Sequence, residues 1–444
     1  MAQPLNRKDI SLYISRISYE NGLIFDITAQ GVEESVLASY AEFIGKNIIQ
    51  KGTGKINFIA DSGNIHTACP QRETVKKCKT IEDIDIHEGQ LFSYEMYIDL
   101  MNDLKQVDGI EVFETATSAV YGGKVYAVWL SPKYEGYLSM TKRLTRLPSE
   151  IINSRHHANE VSSTNSAFML IKKLLTDEKY ADIADKLNLV IVPLENTEGT
   201  MLHDELQSEH PNWKLHIARF NGSGMEFYRQ HFDINTPHTE AMGLTRLYEK
   251  FIPDILVDNH GVPSHEWDQQ FSGYTSPSYK GFWLPRSLLY GYFWYVTNEE
   301  YKDNYAVNKR MEDVIADKIG SIAEMAELNK EWSMQFEKYA HAWMPKLFPA
   351  DYYKDMIDYW IPFAFDSNHR YASIRFPWLT TVAYTSEVAD ETAQGEYLDL
   401  CARAHLAHDE ATLDMIMNAN HVYDKHIDSE NMVARYLRHR PMKV

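Results

Sequence analysis

The rhythm of hydrophobic and polar positions changes after about residue 90. Before that point, short alternating segments such as residues 55–60 predict strands, and residues 36–49 predict one helix. The polar stretch at residues 79–89 predicts a connection. We therefore expect residues 1–88 to form a small α+β module, and the pattern does not indicate its role.

From residue 90 onward, predicted strands and helices alternate. Apolar runs predict strands at residues 124–130, 150–153, 187–194 and 254–258. Helical spacing predicts helices at residues 161–175, 236–251 and 299–345. Since strands that alternate with helices usually form parallel sheets, we expect residues 89–444 to be one layered α/β domain with a largely parallel sheet.

Composition excludes several classes of partner. The chain has 63 acidic and 44 basic residues, a formal net charge of -19, and no long basic run, so we expect no nucleic acid partner. Without an apolar leader or an apolar run of about 18 residues, we expect neither export nor membrane insertion. The three cysteines, Cys69, Cys78 and Cys401, form no C-x-x-C pair and are typical of reduced thiols in a cytoplasmic protein.

A possible metal site follows two of the predicted strands. His157 and Glu160 come directly after one strand, at a spacing that lets an imidazole and a carboxylate converge, and His260 ends a second strand just before Gly261. Each histidine alone is more often an ordinary hydrogen-bonded residue, and His-x-x-Glu alone is a weak signal. Placed together at strand ends of one sheet, two histidines and one carboxylate predict a catalytic zinc site with its fourth position left for water.

At this point the sequence resembles the carboxypeptidase A-like zinc metallocarboxypeptidases, over about residues 105–395. The H-x-x-E pair of that family is matched by "HANE" (157–160), and its later histidine by "DNH" (258–260). "SAVYGGKVYAVWL" resembles its turn into the second strand, and "VPLENTEG" its strand followed by Asn-Pro-Asp-Gly. The resemblance implies a three-layer α/β/α domain with a mixed, largely parallel sheet that holds one zinc ion.

The same resemblance implies residues that bind substrate. "GMEFYR" (224–229) resembles the family's G-V-D-L-N-R, so Arg229 would bind a terminal carboxylate through two hydrogen bonds, with Tyr228 beside it. Tyr228 stands where the family usually has Asn, so a modified or non-protein terminus stays an alternative. Glu226 replaces an aspartate of the family and would accept the second ring proton of His157. A solvated loop is the other interpretation of this segment.

Three more roles are implied by the resemblance. "TSE" (385–387) resembles the end of the strand that carries the family's general base, which would be Glu387. Arg219 would stabilise the oxyanion, with His216 and Lys214 as alternatives. Tyr371 would cover the bound terminus of the substrate.

The function expected from these residues is zinc-dependent hydrolysis of an amide bond, most simply removal of a C-terminal residue from a peptide. The substrate would be a peptide or a small amide. Two alternatives stay open: deacylation of small N-acyl amino acids, as in aspartoacylase-like enzymes, and a non-catalytic peptide-binding protein.

Overall fold

A computed structural model describes residues 10–19, 23–47, 54–69, 77–86, 89–130, 140–211, 213, 215–262, 289–343, 345–346, 350–430 and 433–443. The chain divides into two compact units, Met1–Lys76 and Lys77–Val444. This division lies before the boundary expected at residue 88. Ile81, Ile84 and Ile86 explain the difference, because they are buried in the core of the second unit.

The first unit is a four-stranded sheet with one helix. Its elements are β1 (Ser11–Tyr19), β2 (Leu23–Gln30), α1 (Glu34–Asn47), β3 (Lys55–Ile59) and β4 (Ile65–Ala68). The strand order is β1-β2-β3-β4, and only the β2–β3 pairing is parallel. Leu37, Ala41 and Ile44 of α1 pack with Phe58 of β3 in a small core of their own. The unit therefore has the α+β character that its sequence predicts.

The second unit contains eleven strands among the residues that the structure describes. They are β5 (Ile110–Thr117), β6 (Lys124–Leu130), β7 (Ser149–Ser154), β8 (Asn188–Val192), β9 (Ile255–Gly261), β10 (Leu289–Val296), β11 (Tyr352–Tyr353), β12 (Met356–Phe363), β13 (Val382–Val388), β14 (Tyr423–Asp428) and β15 (Val433–Arg438).

Ten α-helices of the second unit lie within the described ranges. They are α2 (Tyr94–Leu104), α3 (Met140–Arg146), α4 (Ser162–Thr176), α5 (Ile183–Lys186), α6 (Thr197–Glu209), α7 (Ala241–Phe251), α8 (Lys302–Gly320), α9 (Ala323–Phe336), α10 (Ala372–Arg375) and α11 (Gly395–Asn418). None of the helices described here is both long and apolar enough to cross a membrane.

Nine strands form the main sheet, in the order β11-β12-β10-β13-β9-β7-β8-β6-β5. The four central strands, β13, β9, β7 and β8, are mutually parallel. Toward either edge the sheet is mixed, with antiparallel pairings of β10 with β13 and of β8 with β6. The sheet is thus mixed with a parallel centre, and that centre carries the predicted ligands.

Alternate residues of the central strands pack into two separate cores. Ile152 of β7 and Val257 of β9 lie in one core with residues of α2, α4, α8 and α11. Ile151 and Leu256 lie in the other, with residues of α7. Since neighbouring residues of a strand point to opposite faces, this division places helices on both sides of the sheet. The three-layer α/β/α arrangement is confirmed.

Candidate functional site

The predicted ligands meet at the carboxyl ends of two adjacent strands. His157 and Glu160 lie in the turn after β7, and His260 lies near the end of β9. The two strands are parallel and in register, with Asn153 opposite Asp258. Parallel pairing therefore brings together residues that are about a hundred positions apart in the sequence.

Two ring nitrogens and both oxygens of one carboxylate face one another at these strand ends. Nδ1 of His157 is 2.8 Å from Oε1 of Glu160, and Nδ1 of His260 is 3.0 Å from Oε2 of the same carboxylate. The two Nδ1 atoms are 3.1 Å apart. All three side chains are buried. The structure thus brings together every residue of the predicted ligand set.

Asp258 fixes which ring nitrogens of the histidines carry protons. Its Oδ2 lies 2.9 Å from Nε2 of His260 and 3.1 Å from Nδ1 of His156. An ionised carboxylate can only accept, so both of these nitrogens donate. Nε2 of His156 is then free to accept from Nε2 of His157, 2.9 Å away. As a result, Nδ1 is the ring nitrogen of both His157 and His260 that faces the centre of the site, where it can hold either a proton or a metal ion.

This arrangement fits a tetrahedral metal ion. Ligands at 2.0–2.2 Å from a tetrahedral zinc are separated by about 3.3–3.6 Å, and the separations of 2.8 to 3.1 Å seen here are slightly shorter. Converging electron pairs also need a cation between them, either a proton or a metal. Nitrogens of His156, His157 and His260 lie within 4.8 Å of one another as well, so the three histidines could share an ion.

The electrostatics agree with a site for a cation. Burial disfavours an ionised carboxylate, yet the imidazoles of His157 and His260 hold the pKa of Glu160 well below its usual range. Burial and the nearby Arg219 guanidinium lower the pKa of His157 well below its ordinary value, so this ring is neutral. Burial also disfavours a charged His260, but Asp258 and Glu160 raise its pKa well above the ordinary value. Negative charge thus dominates around His260.

Unusual backbone supports the turn that carries the ligands. Arg155, next to His156, has a φ of 55°, in the left-handed region that non-glycine residues seldom adopt. Its buried guanidinium donates to the carbonyl of Ala158 inside the turn and to that of Phe92. Burial lowers the pKa of Arg155 to about 10. The guanidinium thereby fixes the turn on both sides of His157.

Gly261 allows a close approach behind His260. Its amide donates to Oε2 of Glu160 at 3.0 Å. A Cβ at this position would lie only 1.8 Å from Oδ1 of Asp390, whose other oxygen accepts from the amide and hydroxyl of Ser162 at the start of α4. Any side chain at residue 261 would therefore displace the Asp390 carboxylate, which accepts from the start of α4, or shift the strand that carries His260.

Glu387 lies on the strand next to His260. β13 and β9 are parallel, and Glu387 is the direct register partner of His260. The Glu387 side chain is buried. Because register partners on adjacent strands point to the same face about 4.8 Å apart, the carboxylate lies on the side of the sheet that holds the metal-binding residues.

Arg219 and Glu226 form an ion-pair chain with the ligand carboxylate. Nη1 of Arg219 is 3.1 Å from Oε1 of Glu160, and its Nε is 2.6 Å from Oε1 of Glu226. Glu226 was expected to accept from His157, but their closest approach is 3.7 Å, because Glu226 binds Arg219 instead. Of the alternatives to Arg219, His216 lies 3.9 Å from Glu391, and Lys214 is outside the described residues.

The residues predicted to bind substrate lie in two different parts of the structure. Tyr228 and Tyr371 line a small cavity that also reaches Asp258. Tyr228 also stacks on the ring of His156 at 5.4 Å. Arg229 does not line this cavity: its side chain is 64% exposed, and its Nε lies 3.6 Å from Oε2 of Glu226. The structure therefore brings the two tyrosines to the site and leaves Arg229 at its edge.

His156 and Asp258 are site residues that the sequence analysis did not assign. Asp258 is the first residue of "DNH", and His156 directly precedes "HANE". A signal was present, because Asp258 and His260 are two apart on one strand and so point to the same face. Nothing in the sequence pairs His156 with Asp258, since that contact depends on the register of β7 with β9.

The central part of the chain is similar to a known protein family. Residues 106–278 match the family model described as zinc carboxypeptidase. This stretch includes His157, Glu160 and His260, and the match confirms the resemblance and the fold class predicted from the sequence. It supports a hydrolase of the metallocarboxypeptidase type. No curated protein matches the sequence significantly.

Three solved structures that are similar to this chain bear the name carboxypeptidase. The metallo-carboxypeptidase from Burkholderia cenocepacia has 12% identity and a TM-score of 0.45, with 73% of this chain and 69% of that chain covered. The metallo-carboxypeptidase from Pseudomonas aeruginosa has 11% identity and a TM-score of 0.45, with 74% and 70% covered. Carboxypeptidase A from Helicoverpa armigera has 12% identity and a TM-score of 0.43, with 77% and 76% covered.

Proposed function

Because residues 106–278 match the zinc carboxypeptidase family model, we propose that this protein is a zinc-dependent carboxypeptidase that removes the C-terminal residue of a peptide. One observation carries the proposal: at the ends of parallel strands, the buried Nδ1 atoms of His157 and His260 each lie within 3.0 Å of an oxygen of Glu160, and these two nitrogens are 3.1 Å apart. The three unpaired cysteines are consistent with a reducing compartment such as the cytoplasm.

His157, Glu160 and His260 would hold one zinc ion. When bound, zinc supplies a Lewis acid that polarises the scissile carbonyl and lowers the pKa of water. Asp258 would keep both ring nitrogens correctly aimed, directly at His260 and through His156 at His157. Fixed orientation of the donors reduces the rearrangement needed on binding.

Glu387 would act as the general base. Its position beside His260 supports this role, because a base must lie within reach of the attacking water and close to the ligand set. The carboxylate would accept a proton from that water and pass it to the leaving amine. A buried carboxylate is suited to this transfer, since few solvent molecules compete for the proton.

Arg219 would stabilise the oxyanion. Its guanidinium contacts Glu160, so it already lies beside the ligand set, and Glu226 holds the Nε edge in place. The remaining N–H groups can donate to the carbonyl oxygen as negative charge develops there. Tyr228, Tyr371 and Arg229 would contact the last residue of the substrate.

The test combines metal analysis with turnover. The purified protein should contain about one zinc per chain, and His157→Ala or His260→Ala should lose it. The zinc-loaded enzyme should release the free C-terminal amino acid from N-acetylated dipeptides. Full zinc occupancy in either variant would remove that histidine from the ligand set. Release of acetate in place of the terminal amino acid would contradict the carboxypeptidase proposal.

A further inference from the structure

A small cavity opens beside the metal-binding residues, next to Asp258. Its volume is about 30 Å³. Since one water needs about 10–15 Å³, the cavity admits a group the size of a carboxylate. Phe232, Leu244 and Leu256 supply apolar walls. The rest of the lining is mostly polar, so the charge of its side chains decides which polar group can enter.

Arg370 is the only lysine or arginine among the described residues that line this cavity. Its guanidinium lies 4.7 Å over the ring of Tyr228 and 5.0 Å over that of Tyr371. No carboxylate of the described part of the chain forms an ion pair with it. Its buried Nε has no hydrogen-bond partner among those residues. A cation in this setting favours an anionic ligand.

The carboxylate of Asp258, which also lines the cavity, already has partners other than Arg370. It contacts His156 and His260, and the side-chain amide of Asn153 donates to its other oxygen at 3.1 Å. Asp258 therefore does not neutralise Arg370. By contrast, the exposed Arg229 already has a carboxylate neighbour, Glu226.

Neighbouring aromatic rings hold Arg370 in place. The ring of Tyr371 stacks on that of Trp294 at 4.1 Å and 13°. The indole Nε1 of Trp294 donates to Oγ1 of Thr385 on β13 at 3.0 Å. Arg370 is thus oriented before any ligand arrives, which reduces the entropy lost on binding.

We propose that Arg370 binds a carboxylate of the substrate, next to the zinc site. The carboxylate is either the free terminus or the side chain of an acidic last residue, and planar two-pronged contact suits both. The inference rests on the proposed carboxypeptidase function and names the charge of its substrate. It makes Arg370 a specificity-determining residue.

The kinetic test compares Arg370→Met with Arg375→Met as a matched control. Arg375 also has an Nε without a hydrogen-bond partner among the described residues, and it lies 5.4 Å over the ring of Phe376, but it does not line the cavity. Substrates are N-acetylated dipeptides ending in Glu, Gln or Leu, and the C-terminal amide of the last. Arg370→Met should lower kcat/KM by roughly 10- to 100-fold on its target carboxylate, while Arg375→Met should match the wild type.

The set of substrates on which kcat/KM falls identifies the substrate carboxylate that Arg370 binds. A loss confined to the Glu-terminated dipeptide assigns Arg370 to the side chain, whereas an equal loss on all free acids, with the amide unchanged, assigns it to the terminus. Arg370→Lys should recover part of the activity, because it keeps the charge but not the planar fork. Equal losses on acids and amide, or no loss, would overturn the inference.

A binding measurement separates this inference from the proposed function. Glutarate is titrated calorimetrically into the zinc-loaded wild type and both methionine variants. Roughly 10- to 100-fold weaker binding in Arg370→Met alone supports the assignment, and equal affinities overturn it. If the wild type cleaves none of the dipeptides, the proposed function fails, and the titration still decides the role of Arg370.

Discussion

Asp258 and His260, two residues apart on β9, are joined by a contact of 2.9 Å between Oδ2 and Nε2. The same carboxylate contacts His156, which in turn contacts His157. One aspartate therefore controls the orientation of both histidines predicted to be ligands.

We expect Asp258→Asn to lower zinc affinity by roughly 10- to 100-fold, because the amide is no longer a charged acceptor for both rings. Competition with a chromophoric chelator would measure the change. The exposed Asp233→Asn serves as control and should leave the affinity unchanged. Wild-type affinity in Asp258→Asn would mean that the rings are held by packing alone.

The third ligand can be identified by comparing Glu160→Gln with His156→Phe. Both nitrogens of His156 are used in contacts with Asp258 and His157, whereas both oxygens of Glu160 face the histidine pair. Glu160→Gln should therefore lose most of the zinc, while His156→Phe should keep one ion per chain with weaker affinity. The reverse result, read by elemental analysis after dialysis, would make His156 the ligand.

Glu387→Gln tests the general base. The variant should keep its zinc and its fold but lower kcat by roughly 10²- to 10⁴-fold, since the amide cannot accept a proton. Initial rates on an N-acetylated dipeptide at saturating concentration would measure the loss. Glu396→Gln, an exposed change in the first turn of α11, is the control. A near-normal kcat would place the base elsewhere.

We expect Glu150 to make the free energy of unfolding depend on pH. This β7 residue is fully buried, and its Oε1 accepts from the hydroxyl of Thr412 at 2.6 Å. Burial raises its pKa to about 8, from 4.5 in the unfolded chain. Because the folded state binds this proton more tightly than the unfolded chain does, Glu150 makes its full contribution to the free energy of unfolding below pH 4.5. The contribution is lost as the pH rises through 8.

We therefore expect Glu150→Gln to be increasingly stabilising, relative to the wild type, between pH 5 and pH 8. The difference in the free energy of unfolding should grow by several kcal/mol, at about 1.4 kcal/mol per pKa unit. Calorimetric melting of both zinc-free proteins at the two pH values measures it, with the exposed Glu178→Gln as control. A difference independent of pH would mean that Glu150 is ionised in the fold.

The central strands could be predicted from the sequence because they are continuous apolar runs. Residues 124–130 coincide with β6. The predicted strand at 150–153 lies within β7, and the one at 254–258 overlaps the first part of β9. The helix expected from residue 236 begins only at Ala241, because residues 236–240 form turns before α7. Strands β14 and β15 were not predicted, since β14 is mostly polar and the apolar residues of β15 are interrupted by two arginines.

Only the site residues that directly follow predicted strands could be predicted from the sequence. Since β7 and β9 were expected in one parallel sheet, whose carboxyl ends lie at the same edge, the meeting of His157 with His260 could be anticipated. Arg370 could not be found in this way. It belongs to an irregular segment before α10, and its place between Tyr228 and Tyr371 depends on tertiary packing that leaves no periodic signal.

The pairing of β7 with β9 also decides when the metal can enter during folding. Glu160 and His260 are separated by 100 residues (260 − 160), and closing so long a loop is costly before other contacts form. The unfolded chain therefore has no preassembled chelator. We therefore expect an ion to bind only after the central sheet has formed, where it would stabilise the finished domain.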